Sequence, residues 1–121
     1  MTEQEFKDKI TTLLNREYLP YTIGAIVLGE SGSVAEGILL DWFRIETLND
    51  YSTTVEVIQQ DEGGENYYEI LKVLKITKTL YKKKSIVVYV KVYGHYRSHE
   101  GSYFDGWKFV ELTKKIVEVY E

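Results

Sequence analysis

Cysteine is absent from the 121 residues, which excludes disulfides, thiolate nucleophiles and any zinc site built on sulfur. Its absence fits a reducing compartment. Catalytic signatures are missing too. The chain holds no Gly-x-Ser-x-Gly elbow and no His-Glu-x-x-His pair, and "GESGS" (29–33) lacks the lysine and spacing of a phosphate-binding loop. No apolar run approaches the roughly 18 residues of a membrane span, and "MTEQEFKDKI" has no apolar segment of the signal-peptide kind. The expectation is a cytoplasmic protein that does not associate with membranes.

What is present suits one soluble domain, with 44% hydrophobic and 28% charged residues. The net charge of −4 is unevenly spread. Residues 1–60 carry ten acids against four bases, whereas residues 61–121 carry eleven bases, nine acids and eight of the eleven tyrosines. That asymmetry predicts two surfaces with different roles.

Thr2 and Glu5 form a capping box, and Phe6, Ile10, Leu13 and Leu14 follow at helical spacing. Asn15 and the single proline, Pro20, bracket the exit, so residues 3–16 are predicted to be an amphipathic helix. "YTIGAIVLG" (21–29) is short, apolar and glycine-flanked, which favours a strand. For residues 34–48 two readings compete. A second capping box, Ser33 with Glu36, and the spacing of Val34, Ile38, Trp42, Ile45 and Leu48 favour a helix. Gly37 and the dense run "ILLDWFRI" suit a strand or hairpin.

From residue 53 the pattern is β. "TTVEVIQQ", "YYEILKVLKITK", "SIVVYVKVYGH" and "WKFVELTKKIVEVYE" are separated by "DEGGEN", "YKKKS" and a loop at 96–106. The predicted fold is α+β, a helix packed on a four-stranded antiparallel meander. Ile86, Val88, Val90 and Val92 should face the helix, and Tyr89, Lys91, Tyr93 and His95 the other side with Val87.

"DEGGE" (61–65), "YGHYRSHEG" (93–101), "DGW" (105–107) and the terminal "VEVYE" (117–121) resemble segments of small accessory proteins of phages and conjugative elements. The resemblance spans residues 53–121. It implies an antiparallel sheet and a role on a mobile element, and it supplies neither an activity nor a catalytic residue.

Three sets of residues carry possible chemistry. His95 and His99, with Glu100 or Asp105, have metal-ligand chemistry, but a pair at a strand end need not converge as it would on a helix. Asp61, Glu62 and Glu65 are acidic, yet lack the ligand periodicity of a calcium loop. Tyr89, Tyr93, Tyr96, Arg97, Tyr103, Phe104 and Trp107, with Lys82, Lys83 and Lys84 at the opposite turn, combine aromatic and basic side chains. These types are enriched at protein–protein hot spots and also stack on nucleic-acid bases. They are equally at home on a half-exposed sheet face. Negative net charge weighs against nucleic acid, whose binding depends on phosphate neutralisation. The expectation is therefore no catalysis, no cofactor and no metal ion. The seven aromatic and basic residues should form a surface for a host or element protein, or for a second copy of the chain as a homodimer.

Overall fold

The computed structural model describes residues 1–46, 52–61, 67–80, 84–97 and 101–111. Helix α1 (Glu3–Asn15) starts where the capping box places it. The Glu5 backbone N–H donates to the Thr2 hydroxyl at 3.1 Å, and the Thr2 N–H donates to the Glu5 carboxylate at 3.0 Å. That backbone hydrogen bond, with the hydroxyl's, holds the Glu5 carboxyl below its ordinary pKa. The buried stripe is Phe6, Ile10, Leu13 and Leu14, as the spacing predicts.

The segment after α1 departs from the expected strand. Only a two-residue ladder forms, β1 (Glu17–Tyr18) against β2 (Tyr21–Thr22), around the cis Leu19–Pro20 bond. The apolar run then becomes helix α2 (Ile23–Gly29), with the Thr22 hydroxyl accepting from the Ala25 N–H at 3.3 Å. Ile23, Val27 and Leu28 are buried together on its sheet side. An apolar run of this length fits a buried helix as well as a buried strand, and the Thr22 cap with helical packing decides it.

Helix α3 (Gly32–Glu46) settles the second ambiguity as helix, although not on the expected face. Its buried residues are Ala35, Leu39 and Phe43, while Val34 and Ile45 are 46% and 62% exposed. The run is apolar on adjacent positions, so the neighbouring stripe is almost equally good in sequence and packing chooses between them. Leu48 lies outside the described residues. The expected Ser33–Glu36 capping box is replaced: the helix begins at Gly32, and the Glu36 carboxylate accepts from the Val57 N–H at 2.7 Å.

The sheet is the predicted antiparallel meander, in order β3 (Thr53–Asp61), β4 (Tyr67–Thr79), β5 (Ser85–Arg97) and β6 (Gly101–Val110). All three helices lie on one face: α1 meets β5, α2 meets β5 and β6, and α3 meets β3. One core joins the helix stripes to Val55, Leu74, Ile76, Val88, Val90 and Val92.

The loop expected at 96–106 is overturned. β5 continues to Arg97 and β6 begins at Gly101, so most of that segment is paired strand. Its glycines serve the pairing. A Cβ on Gly94 would overlap the Tyr103 carbonyl oxygen on the adjacent strand. Gly106 has φ +152°, which favours glycine, at a bulge where Asp105 is the inserted residue. The last strand was expected to run to the terminus; residues 112–121 lie outside the described residues.

Candidate partner-binding site

The alternation of β5 sorts the expected surface residues onto two faces. With Val88, Val90 and Val92 in the core, Tyr89, Tyr93, His95 and Arg97 point away from the helices and Tyr96 towards them. On β6 the bulge resets the alternation, so Phe104 and Trp107 both face the helices while Tyr103 and Asp105 face out. The seven residues therefore do not form one surface.

Trp107 is scaffold. Its indole N–H donates to Asn15 Oδ1 at 2.8 Å, tying β6 to the end of α1, and its ring meets Phe109 edge-on at 5.2 Å. Phe104 and Trp107 pack over Gly24 of α2, where an added Cβ would stand 3.1 Å from the Phe104 ring.

The outer face carries several paired side chains, although Lys91 and Lys108 stand opposite each other across the β5–β6 ladder. The Lys91 ammonium lies 3.3 Å from the Glu69 carboxylate and 5.6 Å from the centre of the Tyr93 ring. Glu56 stands opposite Lys75 across the β3–β4 ladder. His95 Nδ1 is 2.8 Å and 3.1 Å from the two Asp105 oxygens, and its ring stacks on Tyr103 at 4.9 Å with a 13° interplanar angle. Cations spent on neighbouring carboxylates are poorly placed to neutralise phosphates. His95 with Asp105 is what remains here of the expected metal constellation, because His99 and Glu100 lie outside the described residues. Among the described residues no group of three His, Cys, Asp or Glu side chains could hold a metal ion. Of the acidic turn considered for calcium, Glu62 and Glu65 are likewise outside them, as are Lys82 and Lys83 of the basic turn; Lys84 is exposed.

The inner-facing residues meet an open trough where α2 ends. Two adjoining depressions of about 320 and 300 Å³ share Leu28, Gly29, Glu30, Ile70 and Ser102. One continues to Tyr96, Lys72, Ser31 and Asp61; the other to Tyr21, Ala25, Ile26, Tyr103 and Phe104. Thus Tyr96 and Phe104 of the expected set come together here; Tyr103 borders the trough while its ring stacks on His95 on the outer face, and Tyr89, Tyr93, Arg97 and Trp107 do not line it. Lys72 stands on the core side of β4, is 3% exposed, and donates its ammonium to the Leu28 carbonyl. That bond satisfies one of the carbonyls a helix leaves open at its C-terminus.

Tyr21, Leu28, Glu30 and Lys72 were not singled out from the sequence. Lys72 had a signal: it interrupts the core-facing series Ile70, Leu74, Ile76 with a charge. Tyr21 had none, because its exposure depends on the short β1–β2 ladder. Tyr18, Leu19 and Tyr21 there are 59%, 83% and 61% exposed, and Tyr18 meets the Trp42 ring edge-on at 5.9 Å.

Among the described residues no helix is long and apolar enough to cross a membrane. Comparison of the chain with protein-family models, with curated proteins and with solved structures finds no match.

Proposed function

We propose that the chain is a non-catalytic protein-binding module, an accessory protein of the phage or conjugative-element kind its C-terminal half resembles. Its contact site is the trough between the end of α2 and the β5–β6 hairpin. One observation carries the reading: apolar and aromatic side chains, Tyr21, Ile26, Leu28, Ile70, Tyr96 and Phe104, line an open depression that no described helix closes. Residues of this kind in a concave site supply contact area at low entropic cost, which is what interface anchors need. The outer sheet face supports the reading by contrast, since Lys91 and Asp105 there are already engaged by Glu69 and His95.

The test is co-purification from the host, followed by affinity measurement with variants. Truncating a central aromatic anchor typically costs 2 kcal/mol or more in binding, about thirtyfold in affinity. Tyr21→Ala combined with Tyr96→Ala should therefore weaken the captured partner by about that factor or more. The melt should fall by less than loss of two half-buried rings would bring, because Tyr21 is mostly exposed and only Tyr96 is half-buried. Full affinity in the double variant would make the trough scaffold and remove this assignment.

A further inference from the structure

The trough has a charge as well as a shape. Glu30 follows α2 directly and lies in the part common to both depressions, and Asp61 closes one end. Both carboxylates are exposed to solvent. Glu30 makes no ion pair among the described residues. Lys72 is the one cation among the described lining residues, and its ammonium is buried against the Leu28 carbonyl. An incoming ligand therefore meets apolar walls with carboxylates along the rim.

We infer that the trough takes an extended segment of a partner protein that presents an arginine or lysine side chain to Glu30, flanked by aliphatic side chains packing on Ile26, Leu28, Ile70 and Phe104. Charge complementarity selects this occupant. An acidic or phosphorylated segment would face two carboxylates, and a purely apolar one would leave Glu30 desolvated without a partner, which is costly. Arginine fits best of the two bases. Its planar guanidinium pairs with a carboxylate through two donors and also stacks on aromatic rings, and Tyr96 and Tyr21 flank the carboxylate region at either side. The inference deepens the proposed function and rests on it for the site, but not for the choice of charge.

The test uses the full chain, labelled with nitrogen-15, and two probes at millimolar concentration. One is the blocked peptide Ac-Ala-Leu-Arg-Leu-Ala-NH2; the other has citrulline in place of arginine, neutral but of the same shape. The arginine peptide should shift the amides of Gly29, Glu30, Ile70 and Ser102. It should bind about threefold to fivefold more tightly than the citrulline peptide, which is what a partly exposed ion pair supplies. Glu30→Gln should abolish that difference while leaving the melt unchanged. Equal binding of the two peptides at these amides would overturn the charge assignment and leave a peptide-binding trough standing. Shifts elsewhere, or none, would overturn it too; loss of partner capture in the Tyr21 and Tyr96 variant would then keep the broader reading alive. Self-association abolished by Glu30→Gln would identify the occupant as a second copy and likewise overturn the inference.

Discussion

Gly37 and Gly94 carry the same side chain, a hydrogen, for opposite reasons. Gly37 lies within α3, and a Cβ there would meet nothing within 4 Å. Glycine in a helix costs about 0.5–1 kcal/mol relative to alanine, chiefly through the freedom of the unfolded chain. Gly37→Ala should raise stability by that amount, read as a higher denaturation midpoint with an unchanged slope. At Gly94 a Cβ would overlap the Tyr103 carbonyl oxygen on β6, with Leu28 only 3.0 Å away. Neither a backbone carbonyl within a ladder nor a buried leucine can step aside cheaply. Gly94→Ala should cost more than about 2 kcal/mol. A smaller loss in the same denaturation experiment would mean that the two strands separate more easily than their pairing indicates. Lys72 makes a related point. Its charge looks misplaced among core residues until the Leu28 carbonyl is seen at its tip, and the α2 terminus is then a reason for a buried ammonium.

Secondary structure was legible in proportion to how much each element announces itself locally. Helix α1 has a cap, a box and a single apolar stripe, all visible in sixteen residues, and each holds in the structure. Leu13 is 2% exposed within the core shared with β5, so Leu13→Ala should cost about 2–5 kcal/mol. A loss under about 0.5 kcal/mol in chemical denaturation would mean that α1 does not pack on the sheet. Helix α2 offers only the Thr22 cap, since its apolar residues are contiguous and their partners on β5 and β6 are some seventy residues away. The same holds for the face of α3, where adjacent apolar positions compete and only packing against β3, α2 and α1 decides. Strand β6 was hidden by its composition. Gly, Ser, Asp and Tyr read as loop residues, but the glycines admit close pairing and the bulge, and the pairing spreads over 101–110. The aromatic cluster was readable as a list and unreadable as a surface. A single inserted residue, Asp105, turns Phe104 and Trp107 to one face and Tyr103 to the other, and Gly106 hints at a bulge without fixing which residue is inserted.

Across the whole molecule, the two sides of the sheet differ in how far they are already occupied. The inner side carries all three helices yet leaves the trough open where α2 ends. The outer side carries none among the described residues, and would be the obvious docking face if exposure alone decided. Yet Val73 and Val110, which point outward beside Lys91 and Tyr89, are only 1% and 7% exposed. Lys91, Glu69, Tyr93, His95 and Asp105 are engaged with one another. Where side chains are already paired, a new contact must replace an existing one, which lowers what a partner gains there. Replacing Tyr89 and Tyr93 together by serine should then lower stability, as loss of half-buried rings does, yet change affinity for the co-purified partner by less than about threefold, well short of the anchor-residue loss. The trough variant should show the opposite pattern, with a large loss of affinity and the smaller change in the melt. Both variants are compared against one partner preparation by calorimetry, at a temperature where each is fully folded. If the outer-face variant is the one that loses the partner, the sheet itself is the interface. The trough would then be a depression left by the short α2, and Tyr89 with Tyr93 would become the anchors.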